Sequence, residues 1–174
     1  MQCLSNKKTK DLRLKALVVY YSLSGNSRFA AETIAAELGA DLEEVVDLKK
    51  RQGKLAFLSN GRDAGQGRET EIEPLKKDPT DYDLVIIGGP IWNKSPTPAI
   101  RTYLDKTDLS GKKVGFFLSD SGFGLSDALK KTRALTPNST ILGDLALSAK
   151  DFAHKEETEK KIMEWVQKIK STHA

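Results

Sequence analysis

The apolar positions of this chain alternate between two periodicities. Leu14 to Tyr21 is a β-branched and aromatic run, which predicts a buried strand. Leu84-Val85-Ile86-Ile87 predicts a second strand, stopped by Gly88-Gly89-Pro90. Val114 to Leu118 predicts a third. Ile141 to Ser148, with more polar content, predicts a fourth nearer an edge. A weaker run, Leu42 to Leu48, lies between the first two. Helical spacing fills the intervals. Ala31, Ile34, Ala35 and Leu38 share one face, and Gly39 follows as a C-terminal cap. Pro98 to Leu104 predicts a short helix with proline near its start, and Leu125 to Leu135 predicts another. Ile162, Trp165, Val166 and Ile169 form the apolar stripe of the last. Strands alternating with helices predict an α/β fold, a parallel sheet covered on both faces. Counting the weak run, the order expected for about five strands is 2-1-3-4-5.

One stretch breaks the rhythm. Residues Lys49 to Asp83 separate two strands by far more than an ordinary loop. The segment carries Gly53, Gly61, Gly65 and Gly67, a predicted helix at Leu55-Ala56-Phe57-Leu58, and Pro74 and Pro79 near its end. Such an insertion either serves function or covers the sheet, and both readings stay open here. One domain is expected over residues 13–174, insertion included, behind a basic, flexible tail at 1–12.

Charge and composition narrow the function classes. The 174 residues carry a formal net charge of +4, but lysines alternate with glutamates, as in Lys155 to Lys161. That pattern describes a solvated helix face, so no nucleic-acid partner is read from it. No apolar run is long enough to insert in a membrane, and residues 1–8 lack the apolar stretch of a signal peptide, so a cytoplasmic location is expected. The one cysteine, Cys3, allows no internal disulfide, and with two histidines it argues against a zinc site of the usual kind. No metal ligand is assigned.

The most informative residues follow the first strand. Ser22-Leu23-Ser24-Gly25-Asn26-Ser27 places three hydroxyls around a glycine where a helix begins. A helix start offers unpaired N–H groups and partial positive charge to a phosphate. Ser22, Ser24 and Ser27 can add hydrogen bonds, Gly25 lets the backbone come close, and Asn26 can cap the helix or donate its amide. The loop has no Gly-Lys-Ser/Thr of a nucleotide hydrolase and no triple-glycine turn of a dinucleotide fold. The plain alternative is a serine-rich helix cap without a ligand.

Tyr21 to Ser27 resembles the phosphate loop of the flavodoxin family, Ser/Thr-x-Ser/Thr-Gly-Asn-Thr/Ser, and the likeness extends from Leu14 to Ile169. The resemblance implies a flavodoxin-like three-layer sandwich that binds flavin mononucleotide (FMN), with Ser22, Leu23, Ser24, Gly25, Asn26 and Ser27 around its phosphate. Two further loops belong to the same sheet edge, where ligands of open parallel sheets sit. Gly88 to Pro96 carries Trp92, which is either a core plug or a stacking platform for a flat ring. The family has a similar Gly-x-Pro-x-Trp segment, which implies ring contacts from Gly89, Pro90, Ile91, Trp92 and Asn93. The family's third loop implies contacts from Ser119, Asp120, Ser121, Gly122 and Phe123. Asp120 departs from the small residues usual there. A carboxylate beside the ring would disfavour the reduced, anionic flavin.

In such proteins the cofactor carries the redox chemistry, so no catalytic side chain is assigned. Tuning is expected from Trp92 stacking, from backbone groups of Gly88 and Gly89, and from Lys94 if it faces the ring. The resemblance leaves two functions open. One is an oxidoreductase moving electrons from a nicotinamide donor to a quinone-type small acceptor. The other is a one-electron carrier docking to a redox partner protein. Carriers are usually strongly acidic, and this chain is basic. The insertion from Lys49 to Asp83 is considered for shaping an acceptor pocket or a dimer contact with a second copy of the chain. A flavin-free module binding another phosphate ligand is the alternative of a different class. A receiver domain lacks its nucleophile, because Gly88-Gly89 stands where an aspartate is required.

Overall fold

Parity explains the layers. In β1 (Ala16–Tyr20) every residue is buried, and successive side chains enter opposite faces of one sheet. Ala16, Val18 and Tyr20 join Leu84, Ile86, Phe117, Leu145 and Leu147 on one side. Leu17, Val19 and Tyr21 join Val85, Ile87, Val114 and Phe116 on the other. The computed structural model describes residues 14–120 and 124–173. The tail expected at 1–12, Cys3 with it, and the predicted contacts Ser121, Gly122 and Phe123 lie outside the described residues.

Helix α1 (Asn26–Leu38) buries Ala30, Ala31, Ile34 and Ala35 on the first face. It ends in left-handed Gly39, as the apolar spacing predicts. Beside it runs α6 (Lys155–His173), with Ile162, Trp165, Val166 and Ile169 inward. The second face is covered by α3 (Pro98–Lys106), through Ala99, Ile100, Tyr103 and Leu104, and by Leu129 of α4 (Leu125–Ala134). The remaining strands are β2 (Asp41–Glu44), β3 (Leu84–Trp92), β4 (Ser95–Pro96), β5 (Lys113–Asp120) and β6 (Thr140–Ser148). The parallel order is β2-β1-β3-β5-β6, with the two-residue β4 antiparallel to β3. Setting β4 aside, this is the expected 2-1-3-4-5 sheet, and β2 and β6 are its edges. Among the described residues no helix is long and apolar enough to cross a membrane.

Three local expectations need correction. The strand at Leu84 does not stop at Gly88 but continues to Trp92. Partners on both sides outweigh the weak strand preference of glycine: Gly88 pairs with Tyr20 and Phe117, and Gly89 with Leu118. Gly88 serves packing, since a Cβ there would lie 2.3 Å from the ring of buried Phe117. The strand expected over Leu42 to Leu48 shrinks to Asp41–Glu44, followed by a bridge between Asp47 and Ile72. The insertion helix is longer than Leu55–Leu58: α2 spans Lys54–Gly65 and lies against β3 and β4.

Candidate cofactor site

A cleft of about 940 Å³ opens at the carboxyl ends of β1, β3 and β5. Of the residues singled out in the sequence, Leu23, Ser24, Asn26, Ser27, Pro90, Ile91, Trp92, Asn93, Ser119 and Asp120 line it. Ser22, Gly25 and Gly89 are not among the lining residues. Three loops far apart in sequence thus converge, as placement beyond parallel strand ends requires.

The turn after β1 is shaped by its own hydroxyls. Gly25 is the N-cap of α1 at φ 96°, a left-handed conformation that favours glycine. Its N–H donates to Ser22 Oγ at 3.1 Å, so Ser22 folds the turn. No side chain caps the helix, and the first helical bond in the turn runs from Phe29 N–H to the Gly25 carbonyl. Asn26 is therefore the first helical residue and not the cap. Without a capping side chain, the first-turn N–H groups remain directed outward beside exposed Ser24, the donor set that suits a dianion. Ser27 is buried, and its hydroxyl shares a 3.0 Å hydrogen bond with that of Ser119. That bond ties the turn to the end of β5.

The opposite end of the cleft is aromatic. Tyr21 meets Trp92 edge-on, with ring centroids 5.8 Å apart at 89°. Burial pushes the Tyr21 hydroxyl up to about 12, helped by the nearby Asp47 charge. Asn93 and Lys94 turn the β3–β4 hairpin with φ 46° and 58°. Lys94 does not line the cleft; its ammonium lies 3.7 Å from Asp127 of α4. Gly88 and Gly89 lie within β3 and are not among the lining residues. Both belong to the sheet ladder, and the Gly88 carbonyl accepts from Tyr21 N–H at 3.1 Å.

The insertion, considered in the sequence for an acceptor pocket without named contacts, supplies a whole wall of the cleft. Phe57, Leu58, Asn60, Gly61, Arg62, Gly65 and Gln66 bring α2 into the lining, and Phe152 of α5 (Ala149–Ala153) joins from across the sheet. Phe57 is 78 % and Leu58 72 % exposed, large apolar side chains presented at the cleft. The signal in the sequence was the apolar run Leu55-Ala56-Phe57-Leu58 in an otherwise polar segment, and using it required knowing which way α2 faces. A buried ion network holds that helix. Arg51 donates from Nε to Asp47 at 2.8 Å and from Nη1 to Asp63 at 2.8 Å. Burial opposes the Arg51 charge, and the bonds to both carboxylates outweigh it, raising the guanidinium pKa. A hydrogen bond from Lys49, reinforced by Arg51, draws the Asp63 carboxyl down to about 2.

Residues 15–169 match a family model described as Flavodoxin. No curated protein sequence matches the chain. Among solved structures, the flavoprotein from Lactobacillus acidophilus NCFM in complex with FMN is 25 % identical, with a TM-score of 0.68. The alignment covers 83 % of this chain and 99 % of that one. Oxidised flavodoxin 2 from Bacillus cereus is 19 % identical with a TM-score of 0.60, over 91 % of this chain and 99 % of that one. The flavodoxin of Fusobacterium nucleatum bound to flavin mononucleotide is 12 % identical, TM-score 0.58, over 91 % and 99 %. The last two likenesses concern the fold alone.

Proposed function

This chain belongs to the flavodoxin family, and from that premise we propose that it binds FMN in the cleft and transfers electrons as an oxidoreductase. The observation carrying the proposal is the uncapped start of α1, with Ser24 beside it, at the same sheet edge as Trp92. The residues present fit the group. Backbone N–H groups of the first turn and the hydroxyl of Ser24 would hold the phosphate, with Ser22 and Gly25 fixing the turn and Leu23, Asn26 and Ser27 around it. Pro90, Ile91, Trp92 and Asn93 would flank one side of the ring, and Ser119 and Asp120 its polar edge. Gly89 would act from within β3 through its neighbours. Ser121, Gly122 and Phe123 are proposed ring contacts by resemblance alone.

Bound FMN supplies the capacity to take up and release electrons singly or in pairs. The chain's task is to bind it, orient it and limit water. Tyr21 packs edge-on against Trp92, a contact that helps orient the indole. Phe57 and Leu58 supply apolar surface facing the cleft, and this favours an enzyme over a carrier. A small flat acceptor, quinone-like in shape, suits such a wall. The net charge of +4 points the same way, since carriers of the family it resembles are usually strongly acidic. The second reading is a carrier docking to an acidic redox protein.

Titration of the purified chain with FMN, followed by visible absorbance, tests the binding step. A saturable spectral shift with one FMN per chain is expected, and a spectrum identical to free FMN at saturation overturns the proposal. Rapid bleaching of the bound flavin by NADH or NADPH supports the enzyme. Inertness to both, with reduction by a carrier-type partner, supports the second reading.

A further inference from the structure

Arg51 is the most completely buried of the charged side chains in the described ion pairs, at 2 % exposure, and it lies between the two walls of the cleft. Towards α2 it reaches Asp63 at 2.8 Å and Asn60 Oδ1 at 3.3 Å. Asn60 returns a bond from Nδ2 to the Arg51 carbonyl at 2.9 Å. Towards the sheet, Nε meets Asp47, which also accepts from Thr70 Oγ1 at 2.7 Å. The guanidinium carbon lies 6.0 Å from the centroid of the Trp92 ring. One planar fork thus joins α2, the segment after β2, and the indole at the end of β3.

Stability alone is a poor account of this arrangement. A buried ion pair is often no more stabilising than apolar residues of the same volume, whereas its directional bonds define one geometry. The bonds end on Asn60, which itself lines the cleft beside Gly61 and one turn from Phe57. The aromatic contact ends on Trp92, which lines the other side. We propose that Arg51 is a positioning residue for the flavin, setting the separation between Trp92 and the cleft face of α2 that the isoalloxazine enters. The inference rests on the FMN reading above, and it makes the insertion part of the site.

Asn60→Ala and Arg51→Met test it, beside Arg51→Lys. Asn60→Ala removes two bonds to Arg51 and leaves both ion pairs, so it keeps the fold if Arg51→Met does not. In a Trp165→Phe background the near-ultraviolet circular dichroism of the FMN-free protein reports Trp92. Weakened Trp92 signal is expected in Asn60→Ala and Arg51→Met, with far-ultraviolet signal unchanged. FMN affinity is expected to fall about tenfold or more in each, and the visible band of bound FMN to lose its wild-type shape. Arg51→Lys keeps the charge and loses the fork, so it is expected to resemble Arg51→Met. Wild-type affinity, band shape and Trp92 signal in Asn60→Ala would overturn the positioning role while leaving FMN binding intact. Failure of the wild-type chain itself to take up FMN would overturn the underlying reading instead.

Discussion

The two ends of the cleft are built by opposite means. The turn at Ser22 to Ser27 contains no ionisable side chain and folds on itself, through the Gly25 N–H to Ser22 Oγ bond and an uncapped helix start. The wall facing Trp92 is α2 of a long insertion, held from behind by a buried network of Arg51, Asp47, Asp63 and Thr70 whose bonds span 4 to 23 positions of sequence. A phosphate needs donors at one point, which a short local motif supplies. A flat ring needs two surfaces at a set separation, which no local motif can supply. The phosphate end should therefore tolerate disturbance of stability, and the ring end should not.

The largest expected effect is at Arg51. Arg51→Met strands Asp47 without its ion partner and leaves Asp63 with Lys49 and Arg68, so urea unfolding should show a loss on the order of 3–5 kcal/mol. A loss under about 1 kcal/mol would mean that the network is not the insertion's anchor. Next in size, Ser24→Ala should weaken FMN binding by on the order of 1–3 kcal/mol per lost charge-assisted bond with little change in the unfolding midpoint, whereas adding Ser27→Ala also removes the buried bond to Ser119 and should lower the midpoint. Equal affinity in a fluorescence titration would remove the phosphate from this turn. The buried bond between Ser27 and Ser119 assigns more of the loss in affinity to Ser24, which the single variants separate.

Gly65→Ala probes the ring end without touching a charge. A Cβ there would sit 2.2 Å from Asn93 Nδ2, so the Asn93 side chain must turn within the lining. FMN affinity should fall by about 1 kcal/mol or less, and stability should barely change, because the moving atom ends a flexible side chain. No change in affinity would place Asn93 outside the ring contacts. The smallest effects are those of pH. The Asp63 carboxyl is lowered from 3.8 to about 2, so its contribution is present above pH 4 and is lost as pH falls towards 2. Tyr21 is raised from 10.0 to about 12, so its contribution holds below pH 10 and is lost as pH rises towards 12. Urea midpoints across both windows should fall, and the acid limb should flatten in Asp63→Asn. An acid limb unchanged in that variant would assign it to other carboxylates, Asp151 and Asp41 among them.

The likeness of the two ends to their sequence differs for the same reason. Ser22 to Ser27 was legible because its chemistry and its geometry lie within six residues. The strands were legible as β-branched runs, and the end of α1 as Gly39, because burial on both faces and a left-handed cap each leave a local mark. Gly88 to Trp92 was misread as a loop, because its strand character comes from β1 and β5 alongside. Lys94 was considered for the ring and turns instead to Asp127, a partner on another element.

What the sequence determined by itself was the layered α/β order and the serine-rich turn that opens α1, since periodicity and a helix start are properties of neighbouring residues. Only the tertiary structure decided that α2 is a wall of the cleft, that Arg51 stands between that wall and Trp92, and that Phe57 and Phe152 face the same space. The physical reason is that a buried charge reveals its partner only when both have been brought out of water together.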